Sequence, residues 1–331
     1  MYENLCKPLN VEKEIKLFSG TGNPELSKRV AKILHLELQG LHLEKFANGE
    51  TYARFVESVR GDEVFFIQTL AGPNVNDLLM ETLIVADAAT RASADNFTVV
   101  IPHYGYARQD RKAAPREPIT ARLVANLLEA AGVDRVITLD LHSNQIQGFF
   151  DIPVTHLTAL YLFGDYFKEK DFDWENTVVV SPDMGRAKVA KKLSDYLGCE
   201  VAIAHKSRPR HNAAEVMGII GNINGKTCII NDDMIDTAGT LTGSINKLKE
   251  MGAGDIYVCA THGIFSGQAI QRLEDAPIVE CVVTDAIPCA IANTQGSKIK
   301  QISIARPLAN CIYNVYTNRS VSQAAGGNSE M

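Results

Sequence analysis

The sequence predicts an α/β protein of two tandem domains, each a central, mainly parallel sheet flanked by helices. Three observations carry that prediction. Short apolar runs alternate with longer amphipathic segments. The alternation runs once through about residues 1–150 and again through about 160–305. The length of 331 residues fits two domains of ordinary size.

The first round opens with IKLFS at 15–19, a strand-length apolar run, followed by a helix over 24–34 with Pro24 near its start. Proline is tolerated there because the first helical N–H groups have no intrahelical acceptor. A strand follows at 63–69 (EVFFIQT), then a helix at 76–91 with Leu79, Leu83, Val85 and Ala86 on one broad face. FTVVIP at 97–102 is a buried strand, 118–131 a helix and DRVITL at 134–139 another strand. The second round places strands at 177–181, 199–204 and 226–231, with helices at 184–197 and 240–251, the last ending at Gly252. Further strands are expected at 255–260, 278–284 and 299–304. Strands apolar throughout are buried on both faces, the mark of parallel sheets covered by helices. The seam lies at about 150–175, where an apolar stretch gives way to EKDFDWEN. The expected domains are 1–157, joined again by the C-terminal segment 308–322, and 158–307, with a disordered polar tail at 323–331.

Hydrophobic residues make up 46% and charged residues 22%, which excludes wholesale disorder. The net charge of -6 argues against general nucleic-acid binding, although a local basic pocket for a small anion is compatible with it. No window approaches the roughly 20 apolar residues of a membrane span. The N-terminal stretch MYENLCKPLNVEKEIKLF is charged where a secretory signal is apolar, so a cytoplasmic protein is expected. Seven cysteines without CxxC spacing read as buried, reduced thiols.

The sharpest feature is TCIINDDMIDTAGTLT at 227–242. An apolar strand runs into Asp232 and Asp233, and Asp236-Thr237-Ala238-Gly239-Thr240 leads into a helix. Small residues at a strand-to-helix turn let backbone N–H groups approach an anion, and the helix dipole and threonine hydroxyls add to the attraction. Carboxylates beside such a cradle make sense as acceptors for sugar hydroxyls. A ribose 5-phosphate moiety satisfies both halves. An acidic loop with an Asp N-cap is the plainer alternative. A Walker loop is excluded: Asn224-Gly225-Lys226-Thr227 lacks the leading glycine and precedes a strand. HKSRPRHNAAEVMG, from 205, gathers basic side chains around Pro209 and reads as the start of a mobile loop. Asp140 and His142 follow an apolar strand and could share a cation, or serve structure alone. Asn48-Gly49 is a common hairpin turn.

The 227–242 string resembles the signature of proteins that bind phosphoribosyl diphosphate. GYARQD (105–110), DLHSNQIQGFF (140–150), Ser181-Pro182-Asp183 and KSRPR (206–210) narrow the resemblance to the ribose-phosphate pyrophosphokinases of class I, over about residues 15–322. The resemblance implies two domains of type I phosphoribosyltransferase fold. It implies transfer of diphosphate from MgATP to the anomeric hydroxyl of ribose 5-phosphate, giving phosphoribosyl diphosphate and AMP for nucleotide biosynthesis. By the same likeness Lys206 and Arg208 are catalytic, with Arg208 also touching the sugar phosphate. Phe46, Asn48, Gly49, Glu50, Arg108 and Gln109 bind ATP between the domains. Asp232, Asp236, Thr237, Ala238, Gly239 and Thr240 bind ribose 5-phosphate. His142 and Asp183 hold one or two Mg²⁺ ions, partly through water because magnesium prefers oxygen. Ser58, Arg60, Ser320, Val321 and Ser322 match positions for regulatory phosphate or ADP. The family assembles as homohexamers whose adjacent subunits complete the ATP and regulatory sites.

Two positions depart from the family pattern: Ser207 stands where a second basic residue is common, and Thr155 where an Asp is usual. Asp151 and His156 are the candidates to compensate for the latter. A phosphoribosyltransferase would share the cradle but would need neither GYARQD nor a second domain. A non-catalytic synthetase-associated subunit would be expected to lose Lys206, Arg208 or His142.

Overall fold

The computed structural model describes residues 13–207 and 216–324. β1 (Ile15–Ser19) leads to α1 (Pro24–Leu34), capped by Asn23, whose side chain accepts the Leu26 N–H. β2 (Leu41–Lys45) and β3 (Thr51–Phe55) form an antiparallel hairpin closed by the Asn48-Gly49 turn. β4 (Glu63–Ile67), α2 (Val75–Arg91), β5 (Asn96–Ile101), α3 (Thr120–Ala130), β6 (Arg135–Leu139) and β7 (Val154–Leu157) complete the first unit. Its sheet has the order β1-β4-β5-β6-β7, every pair parallel.

α4 (Leu160–Lys168), β8 (Thr177–Ser181), α5 (Ala187–Leu197), β9 (Glu200–Ser207), β10 (Val216–Ile220) and β11 (Thr227–Ile235) open the second unit. α6 (Gly239–Glu250), β12 (Ile256–Gly263), α7 (Ala269–Asp275), β13 (Glu280–Thr284) and β14 (Ile299–Ile302) follow. The seven strands run in the order β10-β9-β8-β11-β12-β13-β14, with only β10 antiparallel to its neighbour. α8 (Ala305–Tyr316) packs on α1, back at the first sheet, and is followed by α9 (Val321–Ala324). Among the described residues no helix is long and apolar enough to cross a membrane.

The strand-and-helix rhythm read from the sequence is present in both rounds. Three differences have physical causes. β9 continues through Lys206 and Ser207, beyond the expected end at 204, because its backbone pairs with β10 (Lys206 with Met217, Ser207 with Val216). β11 runs on through Asp232 and Asp233 because β12 pairs with it as far as Gly263. The stretch taken as a seam holds β7 and α4, the latter packed on α5.

Alternation along the strands sorts side chains to opposite faces. Phe18, Val64, Phe66, Val99 and Val136 pack under α2 and α3. Val178, Val180, Ile230, Val258 and Val283 pack under α6 and α7. Leu17, Phe65, Ile67 and Ile137 of the first sheet enter one core with Val179, Ile229, Cys259 and Val282 of the second. Leu26, Val30, Leu308 and Ile312 from α1 and α8 fill the same core. The two sheets therefore share one apolar layer.

Cys228, Cys259, Cys281 and Cys311 are buried, and burial pushes their thiols upward: Cys228 to about 11, Cys259 and Cys311 to about 12. The thiolate is the reactive form. All four are expected to resist iodoacetamide at pH 8 and to label only in denaturant, read by mass spectrometry. Rapid native labelling would contradict the packing of this layer.

Candidate active site between the sheets

The C-terminal end of β11 builds the site. Two neighbouring carboxylates, Asp232 and Asp233, lie near the end of the strand, and Asp232 Oδ1 accepts the Asp233 N–H at 2.8 Å. Asp233, buried, turns to the first sheet, where its Oδ2 lies 2.7 Å from Nδ1 of His142, just past β6. The chain then turns through Asp236-Thr237-Ala238, with Ala238 left-handed (φ 58°), and α6 begins at Gly239. No side chain caps this helix, so its first N–H groups are not taken by one. Arg272 of α7 braces the turn by donating to the Thr237 carbonyl at 2.7 Å.

A cavity of about 240 Å³ opens over this end, lined by Arg108, His142, Asp183, Arg186, Asp232 and Asp233 and by the 234–241 segment. Thus the structure brings together Arg108, His142, Asp183, Asp232 and the 236–240 loop from distant parts of the sequence. Arg108, from the first unit, donates to Asp236 of the second at 2.7 Å. Both side chains are substantially exposed, and such a pair contributes at most about 1 kcal/mol. Incoming groups can exchange it readily: anions for Arg108, hydroxyls for Asp236. Gln109 lies in an adjoining cavity of about 180 Å³ that Arg108 also lines.

The other expected contacts lie elsewhere. Phe46, Asn48, Gly49 and Glu50 form the β2–β3 turn, where Asn48 Oδ1 accepts the Glu50 N–H, Gly49 is left-handed (φ 90°) and Phe46 is 50% exposed. None of them lines either cavity. Within this chain the hairpin therefore stands apart from the cavities that Arg108 and Gln109 line. Ser58 accepts the Arg60 N–H beyond β3, and the Ser320 carbonyl accepts from Asn314, with Val321 and Ser322 in α9; none of these lines the cavities. Lys206 lies in β9. Arg208 lies outside the described residues.

Residues 15–132 match the family model for the N-terminal domain of ribose phosphate pyrophosphokinase. Residues 205–325 match that of the phosphoribosyl synthetase-associated domain. The chain is 50% identical over 309 residues to the ribose-phosphate pyrophosphokinase of Fusobacterium nucleatum, covering 93% of this chain and 97% of the relative. The chain belongs to the ribose-phosphate pyrophosphokinase family. The Bacillus subtilis ribose-phosphate pyrophosphokinase is 49% identical over 311 residues, 94% of this chain and 97% of its own. The crystal structure of phosphoribosylpyrophosphate synthetase from Mycobacterium smegmatis superposes with a TM-score of 0.86 at 46% identity, covering 92% of this chain and 100% of that one.

Within this pyrophosphokinase chain the reading of the sequence missed Arg186. Its guanidinium stands 4.0 Å from both Asp232 and Asp233. The available signal was its place just after Ser181-Pro182-Asp183: Asp183 Oδ1 accepts the Arg186 N–H at 3.0 Å, fixing the turn that aims it. Burial, then the neighbouring Asp233 carboxyl, push Asp232 well above the usual carboxylate range. Burial works against Asp233 too, but the His142 bond and the Arg186 charge outweigh it and hold Asp233 low. The same bond to Asp233 raises His142, with burial opposing. Thr155 is buried in β7, whereas His156 accepts the Leu141 N–H at 2.9 Å and so supports the 140–142 turn. Asp151 points to Arg122, 3.7 Å away.

Proposed function

We propose that the chain transfers the diphosphate group of ATP to the anomeric hydroxyl of ribose 5-phosphate, giving 5-phosphoribosyl 1-diphosphate and AMP, with the reacting groups meeting in the cavity between the sheets. The observation that carries the reading is the pairing of Arg108 with Asp236 across the two units. It puts a cation suited to phosphates beside a loop suited to a sugar phosphate.

The 5-phosphate sits on the N–H groups of Thr237–Thr240, where the N-terminus of α6 favours negative charge. Asp232 and Asp236 accept the ribose hydroxyls. Arg108 and Gln109 hold the nucleotide. The anomeric oxygen attacks the β-phosphorus, the bond to the α-phosphate oxygen breaks, and AMP leaves. Catalysis rests on positioning and on cations facing the phosphoryl oxygens. Lys206 and Arg208 supply such charge. The register of β9 supports this role for Lys206: Ile230, Val180 and Ala202 are level across three strands, so the Lys206 backbone stands level with Met234, just past the end of β8.

Mg²⁺ fits the donor set. Among the described residues no three His, Cys, Asp or Glu side chains converge as a closed metal cage. Magnesium is commonly held by one or two carboxylates, water and substrate phosphates, and Asp183 and His142 supply such a partial set. When bound, the ion neutralises charge on the triphosphate. Asp233 keeps Nδ1 of His142 engaged and leaves Nε2 for that role.

The exposed Phe46 turn, which lines neither cavity described above, supports assembly as a homohexamer in which it completes the ATP site of an adjacent subunit. Ile119, just before α3, and Leu123 and Leu127 on it, exposed at helical spacing, supply apolar surface for such contacts. Ser58, Arg60 and Ser320–Ser322 are proposed to bind phosphate or ADP at subunit contacts. The proposed domains are 1–157 with 308–322, and 158–307, in a cytoplasmic enzyme.

The test is AMP release from MgATP with and without ribose 5-phosphate, at low and high phosphate. Release that depends on the sugar phosphate supports the reading; none from folded protein overturns it. Asp236→Asn removes charge from a sugar acceptor and is expected to raise the KM for ribose 5-phosphate about tenfold, roughly the 1.4 kcal/mol of one such hydrogen bond. An unchanged KM would move the sugar off Asp236.

A further inference from the structure

His142 projects from a turn, Asp140–His142, that the first sheet alone does not hold. Asp140 adopts φ 36°, a left-handed conformation that side-chain-bearing residues seldom take without support. Beside the His156 bond from β7, further support comes from β12 of the second unit. Nε2 of His262 lies 3.1 Å from both the Leu139 and the Asp140 carbonyl oxygens. Thr261 Oγ donates to Asp140 Oδ2 at 2.6 Å, and that oxygen also accepts the Ala159 N–H at 2.9 Å.

We propose that His262 and Thr261 are positioning residues for the transfer reaction, clamping the turn that carries His142 onto the strand pair that carries Asp233. Both carbonyls can only accept, so Nε2 of His262 carries the proton and is shared between them. His262 is 2% exposed, and burial depresses its basicity, so the ring is neutral. Nδ1 is then an unprotonated, buried nitrogen without a hydrogen-bond partner among the described residues. A buried nitrogen left in that state is a penalty that packing alone would not require. A buried leucine would avoid it. What histidine provides here is a rigid donor reaching two carbonyls at once. His103, edge-on at 4.5 Å between ring centroids, holds the imidazole in place.

Register makes the clamp specific. Asp232 pairs with Ala260 and Met234 with His262, so Asp233 and Thr261 stand side by side on one face. Asp233 grips the end of the turn through His142, and Thr261 grips its start through Asp140. The 140–142 turn is thereby held at both ends by one parallel strand pair. A small shift of it would mis-aim the His142 imidazole.

The inference rests on His142 acting in the reaction, so the experiment separates the two. Turnover and both KM values are measured for His262→Leu, His262→Gln, Thr261→Val and His142→Ala, with folding checked by circular dichroism and melting temperature. His262→Leu is expected to lose about tenfold in kcat with both KM values within twofold. His262→Gln keeps an N–H near the Nε2 position and is expected to recover at least half of the lost kcat. A folded His262→Leu with wild-type kcat overturns the proposal. So does a His262→Gln as impaired as the leucine variant. If His262→Leu does not fold, Thr261→Val decides: a severalfold loss of kcat supports the clamp, and none overturns it. His142→Ala with wild-type turnover would overturn the reading of the turn as catalytic and the proposal with it. An impaired His142→Ala beside an intact His262→Leu sinks the clamp alone.

Discussion

Replacing Lys206 with alanine is expected to lower kcat by about 10³-fold while leaving the KM for ribose 5-phosphate within about threefold. The asymmetry follows from where charge develops. In the proposed arrangement the sugar phosphate rests on backbone N–H groups and on Asp236, none of which needs Lys206. Negative charge builds on the oxygens of the diphosphoryl group only as it leaves AMP, so a cation facing those oxygens acts on the transition state more than on the ground state. β9 delivers Lys206 to the level of Met234, at the same end of the sheet as Asp232 and the start of α6. Steady-state kinetics with each substrate varied in turn will separate the parameters. Wild-type turnover would remove Lys206 from the chemistry. Equal losses in both KM values with kcat unchanged would make it a binding residue only.

The second large effect is expected at Asp233. Its carboxylate is buried, accepts from or pairs with His142 at 2.7 Å, and faces Arg186 at 4.0 Å. Asp233→Ala frees the imidazole to rotate, leaves Arg186 with Asp232 as its remaining carboxylate here, and takes away the neighbour that disfavours ionised Asp232. In the proposed role of His142 toward Mg²⁺, removing the partner that orients it is expected to cost about 10–100-fold, the range typical of such partners. The expected result is a loss of about 100-fold in kcat at low Mg²⁺, partly relieved as Mg²⁺ is raised. A titration of turnover against Mg²⁺ for the variant and the parent tests it. Coincident curves would show that His142 needs no help from Asp233.

Much of this architecture is legible in the residues. Strands such as TVVVS and FTVVIP are apolar throughout because helices cover both faces of their sheets. The Asp236–Thr240 string is legible because small residues, hydroxyls and a helix start coincide within a few positions. Arg186 was not legible: one arginine after a turn looks like any solvated cation, and only the Asp183 bond to its N–H aims it inward. The extension of β9 through Lys206 was hidden because its partner, Val216–Ile220, lies beyond a polar stretch and supplies backbone pairing rather than a side-chain pattern. The turn at Phe46 was legible as a turn, since Asn-Gly favours one. Its distance from Arg108 was not, because nothing in a local motif says where its hairpin lands.

The apolar layer common to both sheets has a mechanical consequence. Two lobes joined by a flexible strap can clap shut on a substrate; two lobes fused through Leu17, Phe65, Val179, Val282, Leu308 and Ile312 cannot do so without tearing open their own interior. The separation between the two sheets is therefore set when the chain folds.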